Sequence, residues 1–216
     1  MFSSASFGAL APILLKGSLV TLELTICSVL IGMVIGIFIT LMRISHFKTL
    51  STIAYVYTWI FRGTPLLLQI YIIYFGLPSV GIVLPSFLSA LIGLSLNSAA
   101  YMAEIIRGGI LAVDKGQFEA AKALGFSYAV TMRKIILPQT IRIIIPSIGN
   151  ELIAMLKDTS LVSVIAMSDL MRNATLQASS TGNPWMPLLG AGVMYLIMTT
   201  VFTVVFDNLE KKLSVY

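Results

Sequence analysis

Asp114-Lys115-Gly116-Gln117-Phe118-Glu119-Ala120-Ala121-Lys122-Ala123-Leu124-Gly125 is a polar, basic, glycine-punctuated stretch in an otherwise oily chain, and Ile135-Ile136-Leu137-Pro138 closes the same insert. Asp114 has the side chain of a helix N-cap. Gln117, three residues on, is placed to reach back to it as in a capping box. The spacing predicts a helix of about three turns over 115–124, stopped at Gly125, where positive φ is easily adopted. Ser127 can cap a following helix. Phe118, Ala121 and Leu124 or Gly125 fall near one face by their three- and four-residue spacing. Ala120 and Ala121 add no bulk, so another surface can approach the backbone closely. Glu119 offers a single charge to a partner Arg or Lys.

The surroundings say what this helix interrupts. The chain has 216 residues, of which 57% are hydrophobic and 11% charged. A soluble domain of this length carries about 25% charge. Several apolar runs reach the ~20 residues that cross a bilayer, and they are too continuous for the alternating strands of a barrel. The expectation is an all-α integral membrane protein in a single domain, 1–216, with about five spans near 18–42, 51–76, 84–107, 137–156 and 187–207. Phe7 to Leu15 reads as an interfacial helix leading into the first span. No cleaved signal peptide is read. Cys27, the single cysteine, sits inside the first run as a small buried hydrophobe.

Lys and Arg in short loops set orientation. With the N-terminus outside, the inner segments hold Arg43, Lys48, Arg107, Lys115, Lys122, Arg133, Lys134, Lys211 and Lys212, and the outer segments only Lys16, Lys157 and Arg172. The 108–136 insert then faces the cytoplasm, as does the C-terminus. A short amphipathic helix between two spans has little purpose unless something docks on it. The bland alternative is a helix lying on anionic headgroups through Lys115, Lys122, Arg133 and Lys134.

Glu119-Ala120-Ala121, Gly125, Ile135 and Leu137-Pro138 together resemble the EAA motif of ABC importer permeases, with every position of that gapped pattern present. The resemblance implies that residues 115–125 form a coupling helix seated in a groove of a cytoplasmic ATPase, through Gln117, Phe118, Glu119, Ala120, Ala121, Leu124 and Gly125. Arg62-Gly63-Thr64-Pro65-Leu66-Leu67-Leu68-Gln69, the block Asn97 to Gly109, Lys157-Asp158-Thr159-Ser160-Leu161 and Leu209-Glu210-Lys211-Lys212-Leu213 resemble blocks of the polar amino acid subfamily, the histidine/glutamine/arginine permeases of type I importers. These blocks cover roughly 17–213. The implied partners are two ABC ATPase subunits that use ATP and Mg, a second permease subunit (the same chain or a paralogue), an extracytoplasmic amino-acid-binding protein, and the membrane of a prokaryote. None of the blocks names one amino acid.

Ionisable groups inside a span are costly and usually functional. Glu23, Arg62, Glu104, Arg142 and Glu151 are of this kind, with Glu23 and Arg142 near span ends, where they can snorkel. Arg62-Gly63-Thr64-Pro65 predicts a kink or break; its Arg can neutralise a carboxylate across the bundle or meet a substrate carboxylate. Asn97, Tyr101, Glu104 and Gly108 share one face of the third span, with Ser98 beside them. Glu151 and Asp158 share a face of the fourth, with Asn150 adjacent. Such groups either hold the bundle together or line a polar pocket. The expected substrate site is Asn97, Ser98, Tyr101, Glu104, Asn150, Glu151 and Asp158. Glu151 and Asp158 are suited to an ammonium and a cationic side chain, which points to arginine, lysine or histidine, with glutamine within the range of basic and polar amino acids expected. Asp158-Thr159-Ser160 reads otherwise as the cap of a short helix, Leu161–Met171. Trp59 and Trp185 read as interfacial anchors.

No phosphate-binding G-x-x-x-x-G-K-[ST] loop, metal-ligand spacing or hydrolytic Ser/His/Asp set occurs in the sequence. The chain is expected to catalyse nothing and bind no cofactor or nucleic acid, ATP chemistry falling to the partner. Two rivals remain at this level. One is an ion-gradient-driven carrier using Glu104 or Glu151 as a proton site. The other is a scaffold that only anchors an ATPase.

Overall fold

The computed structural model describes residues 4–213, and among them the chain is helical almost throughout, with no strand. Helix α1 (Ser4–Arg43) is a single 40-residue helix. The interfacial helix expected at Phe7–Leu15 is therefore the first part of α1, because nothing between Leu15 and the first apolar run breaks the backbone pattern. Gly17 allows this part to lie against the chain near Leu170: a Cβ there would stand 2.7 Å from Leu170 Cα.

Helices α2 (Lys48–Gly63) and α3 (Leu66–Tyr71) are separated by two extended residues, Thr64 and Pro65. The axes on either side of this break meet at 103°. The expected second span is thus a broken one. Pro65 supplies no N–H and excludes the α conformation at Thr64. A π-helical turn (Ile72–Gly76) and a 3-10 turn (Leu77–Val80) follow, ended by Gly81 at φ +85°.

Helix α4 (Ser86–Ala112) is the buried centre of the bundle. The insert supplies α5 (Lys115–Ala123), α6 (Tyr128–Thr131) and a π-helical turn (Met132–Ile136) that leads into α7 (Leu137–Asp158). A 3-10 turn (Thr159–Ile165), α8 (Leu170–Thr181) and α9 (Trp185–Leu213) complete the chain.

Among the described residues α1, α4 and α9 are each long and apolar enough to cross a membrane, and the bent pair makes a fourth candidate. The expected fourth span, 137–156, falls on α7, which is not among the helices apolar enough to pass as a span by composition. Its 22 residues give ~33 Å, which is sufficient length. Arg142, Asn150, Glu151, Lys157 and Asp158 dilute its apolar character; Glu151 and Asp158 are half-buried against neighbouring elements, whereas Arg142, Asn150 and Lys157 are exposed. Helix α9 leaves Val193, Leu196, Ile197, Val201, Val204 and Val205 exposed.

Helix α1 packs more extensively on α4 than any other pair of elements packs together. The small residues that permit it are Gly32 and Gly36, one turn apart. A Cβ at Gly32 would lie 2.7 Å from Ser98 Cβ, and one at Gly36 would lie 2.8 Å from Met102 Cβ. Packing between membrane helices relies on such close approach, because lipid offers no hydrophobic drive. Gly36→Val is expected to push the pair apart and cost about 1–3 kcal/mol. Thermal unfolding in detergent checks this, and an unchanged midpoint would remove Gly36 from the account. Leu24, Ile70, Leu94, Met102, Met155 and Val162 form the buried cluster beneath the polar residues described next.

Candidate translocation site and docking helix

The insert forms as its sequence demands, with one exception. The Asp114 carboxylate accepts from the Gly116 N–H at 2.6 Å. Gln117 does not complete the capping box; its side chain lies 3.5 Å from that of Gln139 instead. The C-terminus closes in a two-bond motif: the Phe126 N–H donates to the Ala121 carbonyl and the Gly125 N–H to the Lys122 carbonyl, both at 3.0 Å. Gly125 adopts φ +78°, where a side chain would be strained. The Ser127 hydroxyl accepts from the Val130 N–H at 3.5 Å.

The expected single face divides in two. Ala121 is 1% exposed and turned to the rest of the chain, with Phe118 half-buried beside it. Gln117, Glu119, Ala120 and Gly125 are exposed, and Leu124 is 73% exposed. Phe126 and Tyr128 extend the apolar surface around Leu124. The outer side of the helix thus joins small residues and the apolar Leu124 to the polar groups of Lys115, Gln117, Glu119 and Lys122.

A second feature lies where the broken span meets α4 and α7. Thr64, Pro65, Leu66, Asn97, Tyr101, Glu151, Ala154 and Asp158 surround a cavity of about 310 Å³. Of the expected substrate residues, Asn97, Tyr101, Glu151 and Asp158 come together here. Asn150 does not: it is exposed on α7. Ser98 does not line the cavity; it is fully buried between Gly32 of α1 and the Glu151 carboxyl group. Along α7, Glu151 and Asp158 stand two turns apart, ~10 Å, and both line the cavity. Asp158 caps no helix; α7 runs straight into the 3-10 turn. The expected helix Leu161–Met171 is interrupted at Ala166, which has φ +61°. The cap of α8 is Asp169, which accepts from the Met171 and Arg172 N–H groups at 3.0 Å each.

The wall at the break is held by a residue to which the sequence reading gave no role. The Gln69 amide donates to the Phe61 carbonyl (2.9 Å), the Thr64 carbonyl (3.2 Å) and the Thr64 hydroxyl (2.9 Å). Its carbonyl accepts from the Asn97 amide at 3.0 Å, and Asn97 also donates to the Phe61 carbonyl at 3.1 Å. The Phe61 and Thr64 carbonyls at the break are satisfied this way. Gln69→Leu removes those donors and is expected to cost about 1–3 kcal/mol, read as a lower unfolding midpoint in detergent. An unaltered midpoint would show that the amide is not what holds the break.

Glu104 belongs to a different cavity, of about 380 Å³, lined by Arg43, Tyr55, Thr58, Trp59, Arg62, Gly63, Glu104 and Arg107. Its Oε2 accepts from Arg107 Nη2 at 2.7 Å and Nε at 3.0 Å. Arg43 Nε lies 3.6 Å from its other oxygen, and Arg62 Nη1 lies 4.0 Å from Oε2. Placing Glu104 in the substrate site from its helical face alone overlooked these cations. The i, i+3 spacing of Glu104 and Arg107 was the readable signal. The possibility that Arg62 neutralises a carboxylate across the bundle is met at Glu104. A larger cleft between α1, α4 and α7 is apolar, and its Thr40 and Thr140 hydroxyls are bonded to helix carbonyls.

The architecture is an apolar helical bundle with a broken span, a carboxylate-bearing cavity at the break and a short polar helix, α5, between two long ones. A family model described as "Binding-protein-dependent transport system inner membrane component" matches residues 28–215, and the chain belongs to that family. It is 45% identical over 204 residues to the arginine transport system permease protein ArtQ of Bacillus subtilis, covering 94% of this chain and 93% of that protein. It is 42% identical over 203 residues to GlnP of Rickettsia bellii, named for glutamine transport, with coverage of 94% and 93%. The crystal structure of an amino acid ABC transporter with histidines matches at TM-score 0.93 and 41% identity, covering 98% of this chain and 99% of that one. A methionine ABC transporter, MetNI, in an inward-facing conformation matches at TM-score 0.79 and 19% identity, over 99% and 100% of the chains, which shows the shared fold.

Proposed function

We propose that this chain is the translocation subunit of an ATP-driven importer of basic amino acids, working by alternating access. The observation that carries the reading is the cavity at the α2/α3 break, with two carboxylates on one wall and an amide, a phenol and a hydroxyl on the others. A free amino acid brings an ammonium, which suits Glu151. A cationic side chain finds a second carboxylate at Asp158. Asn97, Tyr101 and Thr64 supply neutral hydrogen-bonding groups. The names of the similar proteins, for arginine and glutamine transport and for a transporter with histidines, support this class. Two acids in one cavity favour arginine, lysine and histidine over glutamine.

In the proposed topology the N-terminus is outside and α5 and the C-terminus are cytoplasmic, following the loop charges. The exposed side of α5 is then the seat of a separate ABC ATPase, which supplies all ATP chemistry. A single bundle of this size does not enclose a path, so two permease subunits pair, with a binding protein delivering substrate from outside. Calorimetry on the purified transporter, without binding protein, tests the site. Arginine, lysine and histidine are expected to bind more tightly than glutamine. Equal or tighter glutamine binding would contradict the assignment of two carboxylates to one cationic substrate.

A further inference from the structure

The arginine cavity carries more positive charge than its own residues neutralise. Arg43, Arg62 and Arg107 converge on the one carboxylate of Glu104. Arg107 takes the close, doubly bonded position, and the other two guanidiniums stand at 3.6 and 4.0 Å. Arg43 Nε is buried without a hydrogen-bond partner among the described residues. Arg62 is held loosely: 45% of its side chain is exposed, and its guanidinium lies 5.4 Å from the centre of the Tyr101 ring. Ionisable groups within a membrane protein commonly lie on a substrate or ion pathway, and three guanidiniums facing one carboxylate suit an anion.

Position says which anion. Asn97, Tyr101 and Glu104 follow one another on one face of α4, so both cavities open on the same side of the subunit. Tyr101 lines the acid-bearing cavity, and Arg62, across Gly63 from Thr64, lines the arginine cavity. Glu104 lies three residues, ~4.5 Å, further along α4 toward Ala112. A zwitterion leaving Glu151 in that direction presents its carboxylate to Arg62 first.

We infer that Arg43, Arg62 and Arg107 form a second station on the path, one that accepts the α-carboxylate of the amino acid after it leaves the acid-bearing cavity. Arg62 is the arm. It rests on Tyr101 and on Glu104, and it exchanges the distant Glu104 oxygen for the carboxylate of the passing substrate. Glu104 is the internal competitor that keeps the station from holding substrate too tightly. This inference rests on the amino acid reading given above.

The test uses the assembled transporter with Trp185→Phe, which leaves Trp59, a lining residue of the arginine cavity, as the one tryptophan of this chain. Acetate carries the carboxylate alone. Its effect on Trp59 fluorescence is compared with chloride at equal ionic strength, partner subunits being free of tryptophan or subtracted. Acetate is expected to shift the signal. Arg62→Gln should weaken the response about tenfold or more, and Arg62→Lys should restore part of it. Glu104→Gln should strengthen the response, because it removes the competitor. A merely structural cluster predicts the opposite for Glu104→Gln, and that result, or an acetate response no larger than that to chloride, would overturn the proposal. Glu151→Gln should leave the acetate response intact. If acetate responds but arginine binds nowhere, the amino acid reading fails and the anion station stands.

Discussion

Glu151→Gln is expected to abolish measurable arginine binding to the purified transporter, with a loss of about thirtyfold or more, while leaving assembly unchanged. The size follows from removing one partner of a half-buried ionic contact, which costs about 2–5 kcal/mol. The substitution keeps shape and removes charge, so packing against α4 is retained. Glu151 lines the cavity with Asn97, Tyr101 and Asp158. The buried cluster around Met155 and Leu94 lies beneath and does not depend on the carboxylate. Equilibrium binding and size-exclusion chromatography, run on the same preparation, separate the two effects. Wild-type arginine affinity in the variant would take Glu151 out of the site.

Helix α5, the proposed docking helix, provides the second large effect through a pair of adjacent alanines. Ala120 is exposed, whereas Ala121 is 1% exposed. Ala120→Trp adds bulk only to the outer side. It is expected to leave the thermal stability of this subunit unchanged and to weaken ATPase capture by about thirtyfold or more, the scale of a central interface residue. Ala121→Trp forces a ring into the packed side and is expected to lower the subunit's own stability by about 1–3 kcal/mol. Co-purification of the ATPase and unfolding in detergent read the two quantities. Reversed outcomes, with Ala120→Trp unfolding the subunit and Ala121→Trp sparing it, would mean that the docking side has been assigned to the wrong face.

Helix α5 was legible because its signals are local. A cap at Asp114, a left-handed stop at Gly125 and a second cap at Ser127 each depend on residues within one turn. Gln117 was misread because its amide has two possible partners, and the tertiary one, Gln139, won. The break at Thr64-Pro65 was also local, but its 103° angle was not, since nothing in four residues fixes the direction of the next helix. The site divided in the same way. Glu151 and Asp158 share a face by periodicity, and Asn97 with Tyr101 by the same rule. Glu104 lies on that face too, yet arginines from the ends of α1 and α2 claim it, a contact across more than forty positions of sequence. Gln69 was visible only as part of a familiar block, because a glutamine inside a helix gives no sign of which carbonyls it will satisfy. Asp158 was offered a capping role by its neighbours Thr159 and Ser160, but the helix it was to cap is broken at Ala166.

The central claim is that ATP, and no ion gradient, drives this subunit's transport of basic amino acids. Its most direct test is uptake of radiolabelled arginine into vesicles holding the assembled transporter, with the binding protein on one side, ATP on the other, and ion gradients collapsed by ionophores. The account predicts accumulation that requires ATP, persists without ion gradients, and is lost with Ala120→Trp. Accumulation that follows a proton or sodium gradient and continues without ATP would contradict it.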